Sequence, residues 1–335
     1  MTKIFYSLVA LLAVAVALQS NSTATAQEST TKPLSKLQIA NSEERAKVGA
    51  EAVAKEMELS DEQKSLLEST LLTKYKNNAS KIRQDMSNEA RSAIWRESNT
   101  AVSEALADKF SKKEIRQVNQ IVRKANEAGR IFNGKDLDGW EQVNGTATYE
   151  VIDGEIVGTT VAGSPNSFLA TKKKYANFEL RFEVFLVSDE LNSGVQFRSA
   201  QHTEESLQAI EKKHPVGRVY GYQCELEASA EGDLDAVKYG DAGYIYDEAR
   251  RGWLVDDETR LAATTRGAFK NQAWNRIKIV ANGDHIQTWI NGKKICDLKD
   301  EMTDSGFIAL QVHGIGDKDE KWQVKWRNIF VKELP

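Results

Sequence analysis

Phe178-Glu179-Leu180-Arg181-Phe182-Glu183-Val184 sets an apolar side chain at every second residue and a charged one between. A period of two is that of a strand with one face in a core and the other toward water. The same grammar extends outward from this stretch. Ile277, Ile279 and the segment Ile286 to Ile290 read as further strands, and Asp153-Gly154, Asn282-Gly283 and Asn291-Gly292 offer the positive φ angles that tight hairpins demand. Short strands and turns of this kind over about 200 residues predict an all-β sandwich of two antiparallel sheets. Strands do not alternate with helices, which excludes Rossmann-type and TIM-type architectures.

Upstream the grammar changes. Of 21 glycines, 19 follow residue 130, as do six of the seven tryptophans. Residues 35–129 are nearly free of Gly and Pro, as a helical domain should be. Ser60-Asp61-Glu62-Gln63 and Ser111-Lys112-Lys113-Glu114 read as capping boxes. Behind the second box, Ile115, Val118, Ile121 and Val122 recur at helical spacing, and Leu66, Leu67, Leu71 and Leu72 form a core stripe. Asn77-Asn78 is the expected break between helices, and Gly129 the expected end of the last of three or four. This small α-helical domain carries no reaction chemistry. Docking a partner or self-association is its expected role, and residues 131–335 form the β-sandwich domain.

The first 26 residues read as a leader. Lys3 precedes an apolar run from Ile4 to Leu18, and Ala24-Thr25-Ala26 is a small-x-small cleavage site before Gln27. Residues 27–34 would then be a flexible mature N-terminus, and the protein periplasmic or secreted, with no membrane span. Two cysteines, Cys224 and Cys296, lie in no metal-binding spacing. Cys224 has the apolar parity of its strand and is expected as a buried free thiol. A net charge of −4 gives no basic field for nucleic acid.

Three strands carry recognition groups on one parity. In Tyr222-Gln223-Cys224-Glu225-Leu226-Glu227 the odd residues share the face away from the core. Gln196 and Arg198 do so in Val195-Gln196-Phe197-Arg198, and Gln311 and His313 in Leu310-Gln311-Val312-His313. Solubilising faces are rich in Lys and Glu. Amides, carboxylates and Arg fixed on a sheet suit a polyhydroxylated ligand, which needs both donors and acceptors. A loop, Gly243 to Leu254, adds Asp247, Arg250, Arg251 and Trp253. Its groups either stack and fork onto a sugar or pin the loop in place.

Ile131-Phe132-Asn133-Gly134-Lys135-Asp136-Leu137-Asp138-Gly139-Trp140 resembles the opening motif of the 3-keto-disaccharide hydrolase family. Asn192-Ser193-Gly194 with Phe197-Arg198, the Gln223/Glu225 strand, Ala273-Trp274-Asn275, Leu310-Gln311-Val312-His313-Gly314 and Trp326-Arg327-Asn328-Ile329 continue the resemblance in order. It covers residues 131–334 and implies a concanavalin A-like sandwich acting on glycosides already oxidised at C3. A C3 ketone acidifies the C2 proton. Its removal expels the C1 substituent by β-elimination, and water then adds to the enone. On this implication His313 is the base, with Glu225 its rival or the acid. Arg198, with Arg250 or Arg251, faces the enolate oxygen. Gln196, Gln223, Glu227, Gln311, Asp247 and Trp253 bind substrate. A divalent cation on Glu225, Glu227 and His313 is the alternative electrophile. The chain departs from the family pattern at Glu227, where Asp is usual. Two other readings stand beside this one. A direct glycosidase would use the period Gln223-x-Glu225-x-Glu227, but the amide at the first position cannot serve as a nucleophile. A non-catalytic carbohydrate-binding module would use the same face without turnover.

Overall fold

In the computed structural model the alternating stretch is strand β5, and its apolar members Phe178, Leu180, Phe182, Val184 and Leu186 are buried to 1% exposure or less. The residues described are 33–34, 36–83, 86–188, 191–208, 213–227, 241–260 and 267–335. The leader read over 1–26 lies outside them. Leu34–Pro335 forms one compact unit. Among the described residues, no helix is long and apolar enough to cross a membrane.

Four helices come first: α1 (Lys36–Glu56), α2 (Asp61–Lys81), α3 (Asn88–Leu106) and α4 (Lys112–Glu127). Both capping boxes form, Ser60 with Gln63 and Ser111 with Glu114. Leu67 and Leu71 pack with Val118, Ile121 and Val122 in their own core, with Leu66 and Leu72 half-buried against it. Asn77-Asn78 does not break the helix. Asn78 is buried and its Nδ2 donates to Ser98 Oγ at 3.1 Å, so the side chain is tied to α3 and does not compete for its own backbone. The helix runs on to Lys81 with Ile82 as its C-cap, and α3 starts behind the N-cap Ser87. Past α4, Gly129 has φ +74°, and a Cβ there would lie 2.3 Å from Val331 O. Only glycine allows the chain to leave the helix while lying against the sheet.

The strands are β1 (Trp140–Val143), β2 (Thr148–Ile152), β3 (Glu155–Thr159), β4 (Ser167–Thr171), β5 (Phe178–Leu186), β6 (Asn192–Gln201), β7 (Val219–Glu227), β8 (Ile245–Glu248), β9 (Gly252–Trp253), β10 (Asn275–Asn282), β11 (His285–Ile290), β12 (Lys293–Lys299), β13 (Phe307–Val312) and β14 (Gln323–Glu333). They form two seven-stranded antiparallel sheets. The front sheet has the order β1-β4-β13-β6-β7-β8-β9 and the back sheet β12-β11-β10-β5-β14-β3-β2. Asp153-Gly154 and Asn291-Gly292 turn with positive φ as expected. The third hairpin slips by one residue: Asn282 pairs with His285, so Gly283-Asp284 makes the turn. Between the sheets lie Phe182, Val195, Phe197, Tyr222, Leu310 and Trp326. Cys224 and Cys296 are both buried and unpaired.

Candidate functional site

The front sheet brings β13, β6, β7 and β8 side by side, and register decides which side chains meet. Ala309 lies opposite Gln196, Gln196 opposite Gln223, Gln223 opposite Tyr246, and Tyr246 opposite Trp253. These residues therefore share one row on the face away from the core. One step along, Gly194 lies opposite Glu225. Ser199 Oγ donates to Gln196 Oε1 (2.7 Å), Gln196 Nε2 to Gln223 Oε1 (2.6 Å) and Gln223 Nε2 to Glu225 Oε2 (2.9 Å). Every donor in this relay points toward the carboxyl group, so each bond polarises the next. Gly194 makes the relay possible, because a Cβ there would sit 2.5 Å from Gln223 Cδ.

Glu225 is 5% exposed, and burial pushes its pKa up to about 8. Hydrogen bonds from Gln223 and Asn192 oppose the shift, while the charges of Glu227 and Glu248 reinforce it. The group therefore carries a proton at neutral pH. Glu248 is also raised by burial, although Arg218 pairs with it. Arg218 passes over the Phe168 ring at 5.9 Å, and its buried Nη1 has no hydrogen-bond partner.

At the end of β13, His313 Nδ1 lies 2.7 Å from Gly314 O. A carbonyl only accepts, so Nδ1 holds the hydrogen and Nε2 presents a lone pair. Burial lowers the imidazole pKa and the Arg218 charge lowers it further, against the Gly314 bond. His313 is thus a neutral base where Glu225 is a neutral acid. Next to His313, at Gly314, opens a hollow of about 580 Å³, lined by Ser164, Pro165, Asn166, Pro215, Arg218 and Gly314. Gln311 is wholly buried on the same face, and neither of its amide atoms has a partner. Such a group costs about 1–3 kcal/mol until something pairs with it.

The structure thus brings Gln196, Gln223, Glu225, Gln311 and His313 to one face, with Glu227 at the end of β7 close enough to act on Glu225. Trp253 flanks it edge-on to Tyr246, ring centroids 5.2 Å apart, with Arg260 over its other side. Arg198 does not join them. The β6 ladder shifts register between Phe197 and Ala200, and Arg198 has φ +46°, so the parity counted along the strand fails there. Its guanidinium donates to Ala176 O (2.7 Å), Gly283 O (2.7 Å) and Asn177 Oδ1 (3.0 Å) and closes one end of the sandwich. Asp247, Arg250 and Arg251 also fall elsewhere. Asp247 lies opposite Tyr222, on the inward parity, wholly buried between the two guanidiniums. Of the two readings of the loop, the pinning network is the one that forms. Among the described residues, no three His, Cys, Asp or Glu side chains group in a way that could hold a metal ion, so Glu225, Glu227 and His313 do not make a cation site.

Arg218, Tyr246 and Glu248 were not among the predicted site residues. Arg218 precedes β7 and has no strand parity to read, whereas Tyr246 and Glu248 could have been found by alternation from Asp247.

Residues 127–332 match the family model described as a 3-keto-alpha-glucoside-1,2-lyase-like domain. Among solved structures, a putative glycosyl hydrolase from Parabacteroides distasonis is similar at 20% identity and TM-score 0.41, covering 61% of this chain and 93% of that one. A galectin-like protein of unknown function from Bacillus subtilis matches at 11% identity and TM-score 0.41, over 61% and 94% of the two chains. The carbohydrate binding module CBM66 from Bacillus subtilis matches at 15% identity and TM-score 0.35, over 58% and 96%. No curated protein matches the sequence.

Proposed function

The chain belongs to the 3-keto-alpha-glucoside-1,2-lyase-like family, a carbohydrate-related domain, and from that premise we propose that it cleaves 3-keto-glycosides outside the cytoplasm. The observation that carries the reading is that Glu225, raised by burial, and His313, lowered by burial and by the Arg218 charge, stand on one face of the front sheet as a neutral acid and a neutral base. Groups whose environments push their pKa values in opposite senses suit acid and base roles in one site.

His313 and Glu225 stand on strands separated by β6, so roughly 10 Å of sheet lies between their backbones, room for a pyranose ring. His313 Nε2 takes the C2 proton, and the electron pair forms the C1–C2 double bond as the C1–O bond breaks. Arg218, in the role first assigned to Arg198, holds the charge that develops on the C3 oxygen. Glu225 gives its proton to the departing oxygen. Water then adds at C1, with its proton returned through the same groups, and the free 3-keto sugar leaves. Gln311, whose amide atoms have no partner, offers a donor and an acceptor to the ring hydroxyls, while Gln196 and Gln223 are spent in the relay that holds Glu225.

Incubation with a 3-keto-glucoside and its unoxidised parent, in deuterated buffer, tests this directly. C2 deuteration and cleavage of the keto substrate alone are expected. Rapid cleavage of the parent would make the protein a direct glycosidase, and binding without exchange or cleavage would make it a binding module. The pH profile should rise as His313 loses its proton, below its ordinary value of 6.5, and fall near 8 as Glu225 ionises. His313→Ala should cost at least about a hundredfold and abolish the acid limb.

A further inference from the structure

A larger cavity, about 720 Å³, lies between the helices and the outer face of the back sheet. Eight of its charged lining residues are Arg or Lys and five are Asp or Glu. The acids are consumed mostly by the sheet's own cations. Glu44 pairs with Arg181 and Arg276, while Arg327 reaches Glu183 at 2.7 Å and Glu155 at 3.2 Å.

The helical side is left with charge in excess. Among the described residues, neither Arg45 nor Arg130 makes an ion pair. Arg45 rests over Tyr75 at 4.6 Å and Trp95 at 5.4 Å, with Lys74 over the same two rings, and Arg130 rests over Phe330 at 4.6 Å. Burial lowers the pKa of Lys74 to about 8 and also lowers that of Arg130, and in both the charge of Arg45 adds to the effect. Arg45 hydrogen-bonds the Tyr75 hydroxyl as well, but among the described residues its charge is met by no carboxylate, and cations held together on aromatic faces against their own repulsion are arranged for an anion. Asn78 also lines the cavity. It is 3% exposed, its Nδ2 is given to Ser98, and its Oδ1 has no partner. An unpaired buried acceptor calls for a donor such as a hydroxyl.

We propose that this cavity is a second ligand site that takes an acidic saccharide, its carboxylate or sulfate between Arg45 and Arg130 and a hydroxyl on Asn78 Oδ1. The volume matches a disaccharide-sized ligand. The site is separate from the front-sheet chemistry and does not depend on it.

Trp95 and Trp274 line the cavity, so the fluorescence of the full chain can report binding. The probes are a glucuronate-containing disaccharide, a sulfated disaccharide, an uncharged disaccharide of equal size, and inorganic sulfate. One or both acidic disaccharides should bind at least about tenfold tighter than the uncharged one and than sulfate, more weakly as salt rises. Arg45→Gln and Arg130→Gln should each weaken that binding about tenfold with an unchanged circular dichroism spectrum. Glu225→Gln should leave it intact. Equal binding of charged and uncharged sugars, binding of sulfate as tight as that of the disaccharides, or no binding at all would overturn the proposal. So would loss of binding in Glu225→Gln with retention in both arginine variants, which would place the ligand on the front sheet.

Discussion

Asp247 and Glu248 are neighbours in β8 with opposite fates. Asp247 faces inward, and each oxygen is taken by a guanidinium, Arg250 on one and Arg251 on the other. Arg251 continues to Asp300, and Tyr222 donates to the same carboxylate. Glu248 faces outward with Glu225, Tyr246 and Arg218, where charge is poorly matched: both carboxylic acids are raised by burial, one guanidinium nitrogen lacks a partner, and so does the whole Gln311 amide. The two sides of one strand use the same residue types. What separates scaffold from site is the carboxyl group: both Asp247 oxygens are taken by guanidiniums, although Arg250 Nη2 has no partner, whereas burial pushes Glu225 and Glu248 toward the protonated form and leaves them a proton to give.

The largest effect that could break this contrast is expected at Glu225. Glu225→Gln should lower turnover of a 3-keto-glucoside between about a hundredfold and ten-thousandfold and remove the alkaline limb of the profile. The same change should stabilise the fold at high pH. The folded-state pKa is raised from 4.5 to about 8, so between those values the unfolded chain releases a proton that the native protein keeps. Wild-type stability therefore falls as pH rises through that interval, by on the order of a few kcal/mol, and the glutamine variant escapes the loss. Melting curves should coincide near pH 4 and separate at pH 8 in favour of the variant. Coincidence at both would mean that Glu225 is not held as a buried neutral acid.

At Asp247 the expectation reverses. Asp247→Asn leaves two guanidiniums, one nearly buried, without their shared carboxylate. Breaking a buried pair of this kind costs about 3 kcal/mol or more. Denaturant titration should show that loss, while turnover per folded molecule stays within about twofold. A catalytic defect exceeding the stability defect would return Asp247 to the site and erase the distinction between the two faces.

Alternation was enough to place Gln196, Gln223, Glu225 and Gln311 together, because a strand's period holds wherever its ladder is regular. It misplaced Arg198 for the same reason: the count ran on through the irregularity after Phe197, which turns the side chain toward Ala176 and Gly283. The loop from Gly243 to Leu254 announced its residue types but not its pairing with β7, and only that pairing tells Asp247 from Glu248. Arg218 gave no sign at all. It lies outside any strand, and only folding brings it beside Phe168, Glu248 and His313. In the helices, Asn77-Asn78 looked like a break because amides compete for backbone bonds in isolation, which a partner on α3 removes.

The smallest effect sharpens the comparison most, because it alters no polar atom. A methyl group at position 194 would collide with Gln223 Cδ and Cγ, at 2.5 and 2.6 Å. Gly194→Ala must therefore move the Gln223 amide, and with it the last donor of the relay into Glu225. Displacement of about an ångström at an acid–base group makes a loss of about tenfold in kcat reasonable, with KM little changed. The alkaline limb should shift upward, because a carboxylate that loses a hydrogen bond is harder to ionise. Since Gly194 acts only through the Gln223–Glu225 contact, the double variant with Glu225→Gln should be no slower than Glu225→Gln alone. Additive losses would show that position 194 matters for packing, and that the relay does not set the protonation of Glu225.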